Sequence, residues 1–519
     1  MPHKLVQSDL SAPAGAEAAP GADAGPGAAS GSSPEAGNGS AVDGKLASRV
    51  ARRIEADIVR AGWPVGRMLG SENELRERYG ISRSVLREAI RLLEHHQVGK
   101  MRRGPGGGFF VTALDSGPAT RAIVIYLEYL GTGVEDLMYA RLLLEPLAAA
   151  GAARRAGEDD IGLLRQALDQ ERSREWEPGI EAHDSLHPLL GQISGNPALQ
   201  LFVHVLTRFT ERYADDLRRL SRSELDRTQA GAAEAHSAIV ESVIAGDADH
   251  ASNHMARHIE SVTGWLGDHQ RRRSFTHLNR PPAAADLQDA KLSEVLASRI
   301  HEEIAYRGWP IGEVLGSEPD LLARYQVSRA ALREAVRILE YHSVAAMRRG
   351  PGGGLVVTVP DPAASIETMA LYLDYQKVSV EDLRVVREAI ELGCIDRVIA
   401  RRHEPGVADR LRAALQVDAS TPPADINRLS HVLHTELGEL SGNPVLALFL
   451  RIVTDLAYRH AHAHAEQQTS ADRDISDEEA ATAAGRIHGR IVEAILEGDS
   501  GLARHRMRRH LEAITAWWH

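Results

Sequence analysis

At 519 residues, with about 150 residues to a typical domain, the chain should divide into roughly three or four domains. Its formal net charge of -12 excludes a polycation, so any nucleic-acid surface must be a local patch. Aromatic residues are only 4% of the chain while Ala, Leu, Arg and Glu abound, which favours a mainly α-helical protein with aliphatic cores.

Residues 1–42 are dominated by Ala, Gly, Pro and Ser and hold too little bulky apolar surface to offset their ordering entropy, so this tail is expected to be disordered. It lacks the basic-then-apolar pattern of a secretory leader, and no run of 18 apolar residues occurs anywhere. The expectation is a soluble, cytoplasmic protein with no membrane partner.

Beyond the tail the chain is a duplication. Gly62-Trp63-Pro64-Val65-Gly66 recurs as Gly308-Trp309-Pro310-Ile311-Gly312, 246 residues further on. Ser82 to Glu94 matches Ser328 to Glu340 at that offset, and the eight residues from Met101 return unchanged from Met347. Val134-Glu135-Asp136 pairs with Val380-Glu381-Asp382, and Ser194-Gly195-Asn196-Pro197 with Ser441-Gly442-Asn443-Pro444. Two copies of so long a unit make a tandem domain duplication, not a solenoid.

Each copy divides into a small head, residues 43–113 and 290–359, and a larger body, residues 117–268 and 363–519, with residues 269–289 between them as a linker. In the first head Lys45 to Arg60 reads as an amphipathic helix that stops at Gly62-Trp63-Pro64. Ser71 with Glu74 makes a capping box for a second helix, imitated by Ser317 with Asp320, and Ser82 caps a third. Two apolar runs, Val98 to Met101 and Phe109 to Thr112, flank Arg102-Arg103-Gly104-Pro105-Gly106-Gly107-Gly108 and predict a β-hairpin. Three helices and then a hairpin wing form a winged helix-turn-helix.

Along the third helix Arg83, Arg87 and Arg91 lie four apart on one face, while Val85, Leu86, Ala89, Ile90, Leu92 and Leu93 cover the other. Arg329, Arg333 and Arg337 repeat the stripe. Guanidinium forks suit both phosphates and guanine edges, and Ser84 sits beside them; on an ordinary solvated face the arginines would instead pair with Glu88 and Glu94. The glycine run leads into Phe109-Phe110-Val111, not into the Lys, Ser or Thr and helix of a nucleotide-binding P-loop. Bare backbone at Gly106 and Gly107, and at Gly352 and Gly353, can approach DNA, with Arg102, Arg103, Arg348 and Arg349 at the base of the wings. The alternative is glycines that only tighten a hairpin. Gly44 to Thr112 carries 14 Lys and Arg against 7 Asp and Glu, whereas Ala290 to Thr358 carries 9 against 8, so the first head is expected to bind DNA more strongly.

The stretch from Gly66 through Ser71-Glu72-Asn73-Glu74-Leu75, and then from Gly80 through Ser82-Arg83-Ser84-Val85-Leu86-Arg87-Glu88-Ala89, resembles the GntR family of bacterial transcription regulators. The bodies resemble the effector-binding FCD domain of its FadR subfamily, and the two copies cover nearly everything after residue 42. The resemblance implies a double-stranded DNA operator, with Arg83 and Arg87 (and Arg329 and Arg333) reading bases and the wing tip in the minor groove. It also implies pairing of two head-and-body units. One chain here contains both, as an intrachain pseudo-dimer, and homodimerisation of the whole chain stays open. Two departures stand out: Gly70 and Gly316 where the family usually has Pro, and Asn73 and Pro319 where FadR-type readers often place Arg.

The bodies show helical periodicity broken by Gly, Pro and Asp, which predicts all-helical bundles. His236 precedes Gly246-Asp247 by ten residues and His258 comes eleven after Asp247. Gly-Asp ends one helix and begins another, so both histidines sit at about 15 Å along antiparallel arms and can face each other. His488 and His510 repeat the spacing around Gly498-Asp499, and His187 and His434 each precede Ser-Gly-Asn-Pro by seven. Three imidazoles from three helices make a site for a divalent metal (zinc, nickel or manganese) with open positions for a ligand. With only Cys394, a disulfide framework and a thiolate zinc cluster are excluded. Among 24 histidines, some could also align by chance as core residues.

Metal-binding FCD domains have an Asp four residues before the first histidine. That place holds His183 in the first copy, a possible fourth ligand, and Ser430 in the second, so the first copy is expected to bind metal better; Asp184 is one residue out of register. Arg141 and Arg387 match a family arginine that can face the pocket and pair with an effector carboxylate, or they form ion pairs with Glu145 and Glu391 one turn on. The alternating His460, His462 and His464 read as solvated. The leading reading is a DNA-binding transcription regulator controlled by a small carboxylate effector. An acyl-CoA-responsive regulator with incidental histidines and a metal-dependent enzyme fused to DNA-binding heads are the alternatives. Against the enzyme, no carboxylate recurs at a fixed offset from the histidine triplet in both copies.

Overall fold

A computed structural model describes residues 38–173, 186–214, 222–272, 292–350, 352–360, 362–415, 431–467 and 477–516. Helix α1 (Asn38–Arg60) starts within the segment expected to be a disordered tail, so that boundary is corrected by five residues; residues 1–37 lie outside the described part. The helix stops because Gly62 and Trp63 both take left-handed φ, 72° and 53°, ahead of Pro64. Strand β1 (Met68–Gly70) leads into α2 (Glu72–Tyr79), whose capping box is formed by Ser71 and Glu74 and whose end is the left-handed Gly80. Ser82 caps α3 (Arg83–His95) by accepting from Val85 N–H. Strands β2 (Gly99–Arg102) and β3 (Gly108–Val111) form the wing hairpin, and β1 adds to β3, giving the order β1-β3-β2. The third strand was not predicted, since three residues are too few for a readable alternation. Ile54, Ile58, Leu75, Leu86, Leu93 and Phe109 fill the core between α1, α2, α3 and the sheet.

The first body contains α4 (Ser116–Tyr129), α5 (Val134–Arg155), α6 (Glu158–Ser173), α7 (Leu186–Ile193), α8 (Pro197–Ala214), α9 (Arg222–Ile244) and α10 (Ala248–Arg272). Helix α10 runs past the expected start of the linker at 269; residues 273–291 lie outside the described part. The second half repeats the order: α11 (Leu292–Tyr306), β4 (Val314–Gly316), α12 (Glu318–Tyr325), α13 (Arg329–Tyr341), β5 (Ala345–Arg348) and β6 (Gly354–Val357), with sheet order β4-β6-β5. Its body contains α14 (Pro362–Tyr375), α15 (Val380–Arg401), α16 (Val407–Ala413), α17 (Val432–Leu440), α18 (Pro444–Gln467), α19 (Asp477–Glu497) and α20 (Ser500–Ala516).

The two bodies share one hydrophobic core. Phe202 of α8 stacks on Phe449 of α18 with centroids 4.0 Å apart, and residues of α4, α5 and α8 join those of α14, α15 and α18 in a single buried cluster. Asn196 Nδ2 donates to the Asp382 carbonyl at 3.0 Å, and Asn443 Nδ2 donates to the Asp136 carbonyl at 2.9 Å. The two repeated motifs, Ser-Gly-Asn-Pro and Val-Glu-Asp, therefore meet across the joint. The heads dock crosswise. Trp63 of the first head packs edge-on against Tyr375 of α14 at 5.3 Å, and Trp309 of the second against Tyr129 of α4 at 5.4 Å.

Candidate DNA interface and histidine centres

Arg83, Arg87 and Arg91 line the exposed face of α3, their side chains roughly two-thirds exposed or more. Arg83 Nε donates to Glu72 Oε1 at 2.8 Å and Arg87 Nε lies 3.9 Å from the same oxygen, so a carboxylate of α2 holds the two forks side by side. Arg83 in turn keeps the Glu72 carboxyl below its ordinary range, chiefly by that hydrogen bond. Of the partners expected for a solvated face, Glu88 takes Arg91, but Glu94 accepts from Met101 N–H and anchors the wing. Arg329 and Arg333 repeat the arrangement with Glu318, and Arg337 with Glu334. Ser84 is exposed, its hydroxyl 2.9 Å from that of Ser82.

At the first wing Arg103 and Gly106 are exposed and Gly107 is half-buried, while the exposed Arg102 guanidinium stacks 4.4 Å over the Phe110 ring. A Cβ at Gly107 would meet Arg102 O at 2.5 Å, so the tip needs glycine for the turn itself. Arg348 and Arg349 are likewise exposed, with Gly352 exposed and Gly353 half-buried. With Val356 where Phe110 stands, Arg348 instead donates to the Gly352 carbonyl at 3.0 Å.

In the first body His187, His236 and His258 are all buried and turn their Nε2 atoms to one point. His236 Nε2 lies 3.2 Å from both His187 Nε2 and His258 Nε2. A divalent ion at about 2.0 to 2.1 Å from each nitrogen separates neighbouring nitrogens by roughly 3.0 to 3.4 Å, so the spacing fits. The opposite nitrogens are oriented by carboxylates: His187 Nδ1 donates to Glu145 Oε2, and His236 Nδ1 donates to Glu171 Oε2 at 2.8 Å. That tautomer leaves Nε2 its lone pair. In the second body His510 Nε2 lies 2.9 Å from His488 Nε2 and 3.3 Å from His434 Nε2, and His434 Nδ1 donates to Glu391 Oε2 at 2.5 Å. Burial pushes His488 down to about 4 and His510 to about 2, and lowers His434 as well, so these imidazoles are neutral. Among the described residues, no hydrogen bond reaches His488 Nδ1. His183, Asp184 and Ser430 lie outside the described residues.

The family model of the FCD domain matches residues 136–261 and again 382–513, and that of bacterial regulatory proteins of the gntR family matches residues 46–111. The chain belongs to the GntR family of bacterial regulatory proteins. It is a DNA-binding transcription regulator with FCD effector-binding domains. This GntR-family chain is 26% identical over 220 residues to the Uxu operon regulator of Haemophilus influenzae, covering 41% of itself and 79% of that protein. It is also 26% identical to the transcriptional repressor NanR of Citrobacter rodentium over 253 residues, 46% of this chain and 88% of the relative. The solved structure of Streptococcus agalactiae GntR matches with a TM-score of 0.30 and 24% identity over 42% of this chain and 99% of that one.

Two features of the GntR chain correct the sequence reading. A carboxylate does recur beside the histidines: Glu145 lies 42 residues before His187 and Glu391 lies 43 before His434, so a one-residue slip between the copies hid the pair. Both are buried and serve the imidazole opposite the converging nitrogens, an orienting position. Glu145 is held down to about 2: burial alone would raise it, but Arg141 and His187 prevail. The second correction concerns His460, which is half-buried and lies 3.1 Å from Asp374 Oδ1 instead of being solvated; the side chains of His462 and His464 lie outside the described part. Arg141 and Arg387 adopt the ion-pair arrangement, Arg141 Nε donating to Glu145 at 2.5 Å and Arg387 Nε to Glu391 at 2.6 Å. Glu171 was missed altogether. It reaches His236 from 65 residues away, a distance no local spacing reveals.

Proposed function

We propose that this regulator binds a two-half-site operator with both heads of one chain, in the cytoplasm, and that a small carboxylate effector held at a divalent metal (zinc, nickel or manganese) in the FCD domains governs the fit. The observation that carries the metal reading is the convergence of His187, His236 and His258 Nε2, with Glu145 and Glu171 fixing two of the rings from behind. A bound ion would supply a positive centre for an anionic ligand. The chain's own part is to hold the tautomers of the rings and exclude water by burial.

For DNA the proposed contacts are Arg83, Ser84 and Arg87 in the major groove, with Arg102, Arg103, Gly106 and Gly107 at the wing. Arg329, Arg333, Arg348, Arg349, Gly352 and Gly353 would do the same in the second head. The shared core of the two bodies supports an intrachain pseudo-dimer. That the relatives align to less than half of this chain but to most of their own length favours the same reading.

Elemental analysis of untagged protein, coupled to gel shifts with and without citrate as a trial carboxylate, tests the proposal. Bound metal that falls on His236→Ala, and a citrate effect on DNA binding that needs the metal, are the expected results. Protein that neither carries nor takes up zinc, nickel or manganese would overturn the metal reading.

A further inference from the structure

The two heads set their arginines alike and differ in what stands between them. On α3 the forks of Arg83 and Arg87 lie 2.8 and 3.9 Å from Glu72, and on α13 those of Arg329 and Arg333 lie 3.1 and 3.6 Å from Glu318, all four roughly two-thirds exposed. Both helices therefore present the same pair of guanidiniums. The second residue of each helix is different: Ser84 on α3 and Ala330 on α13, both exposed. The Ser84 hydroxyl lies 2.9 Å from that of Ser82, which also caps the helix by accepting from Val85 N–H. Ser328 caps α13 in the same way, accepting from Ala331 N–H at 3.1 Å, but Ala330 beside it offers only a methyl group. The first turn of a recognition helix is the part that meets base edges. There a hydroxyl exchanges hydrogen bonds with the base, whereas a methyl packs on the C5-methyl of thymine and satisfies no polar edge.

The neighbourhood diverges in the same sense. The second residue of α2 is the exposed Asn73, with a side-chain amide and a backbone N–H at a helix start; its counterpart on α12 is Pro319, which has neither. Lys100 on β2 is exposed and Ala346 replaces it on β5, while Glu313 stands where the first head has Arg67. Donors and cations of this kind hold phosphates whatever the sequence, so the first head has the firmer grip and the second contributes chiefly what its recognition helix reads.

We propose that the operator is not a palindrome. Its half-site under the second head carries a thymine facing Ala330; at the same place the half-site under the first head carries a purine or cytosine, whose edge bonds to the Ser84 hydroxyl with no methyl in the way. The chain then sits on its operator in one direction only. A regulator that pairs two identical chains has no such direction, because its symmetry repeats one reading head. This rests on the reading that both heads of one chain engage two half-sites, and it adds what each head selects.

Selection of bound duplexes from a random pool by the full chain, followed by footprinting of the selected sites, tests it. Two protected half-sites are expected, unlike at one base pair, with thymine there in only one of them. Ser84→Ala should bring thymine into the other half-site, and Ala330→Ser should remove it from the first. On the parent's selected site each variant should bind about five- to tenfold more weakly, and exchange of the one base pair should restore binding. Both residues are exposed, and circular dichroism melts check that each variant folds as the parent does. Two identical half-sites overturn the proposal and leave the two-headed reading standing. So do unlike half-sites that neither substitution changes. A single protected half-site overturns the two-headed reading and the proposal with it.

Discussion

Glu171 and Glu145 reach their histidines from behind, and each fixes a ring that would otherwise rotate. Glu171→Gln should therefore lower metal affinity by about 10- to 100-fold while the fold melts much as before, measured by competition with a chromogenic chelator. In the second body, among the described residues, only His434 has such support, and the same competition should show its site as the weaker. The triplet itself was legible because two helix arms of known rise around Gly-Asp place residues by arithmetic; its supporting carboxylates were not, because they come from elements far apart in the chain. Another buried pair is confined to the first head. Burial pulls the His96 imidazole down, but the hydrogen bond and charge of Glu55 outweigh it and leave His96 above its ordinary 6.5. A raised folded value means stability fully present below about pH 6.5 and lost as pH rises through the elevated value. The second head has His301 in place of Glu55 and lacks this pair. Thermal melts should thus show the parent chain losing stability between slightly acidic and mildly alkaline pH, and His96→Gln should flatten that slope.

At the level of elements, α3 and α13 are near copies whose arginines share one carboxylate, yet they stand in different fields. The first head carries twice as many basic as acidic residues and the second nearly equal numbers. Replacing Arg83 and Arg87 by Ala should cost about 1 to 3 kcal/mol for each lost base contact, and the same changes at Arg329 and Arg333 less. Gel shifts at fixed salt measure this, and equal losses would contradict a dominant first head. The wings differ in the same sense, since Arg102 rests on Phe110 while Arg348 is turned back onto its own loop. Helix caps, arginine stripe and hairpin were readable in the sequence because each is a local pattern. The strand Met68–Gly70 was not, because it exists only through pairing with β3, some 40 residues on.

For the whole molecule, the sequence revealed the duplication but not the crossing of its parts. Side chains that look like ordinary core positions in either copy, such as Phe202 and Phe449, meet each other. Each head also rests on the first helix of the opposite body, through Trp63 and Tyr375 on one side and Trp309 and Tyr129 on the other. These tryptophans hold φ near 53°, a conformation disfavoured for a bulky residue and kept only because the surroundings fix it. A change in either body should then be felt first by the head of the other half. The joint is built as a subunit interface would be, with a stacked aromatic pair at its centre and reciprocal asparagine-to-carbonyl bonds beside it. Phe202→Ala should cost about 3 to 5 kcal/mol, because it opens a cavity where two halves meet. If the joint satisfies each half, light scattering on the DNA complex should find one chain on an operator with two half-sites. Two chains on that operator would mean that the heads pair between chains and that the shared core serves stability alone.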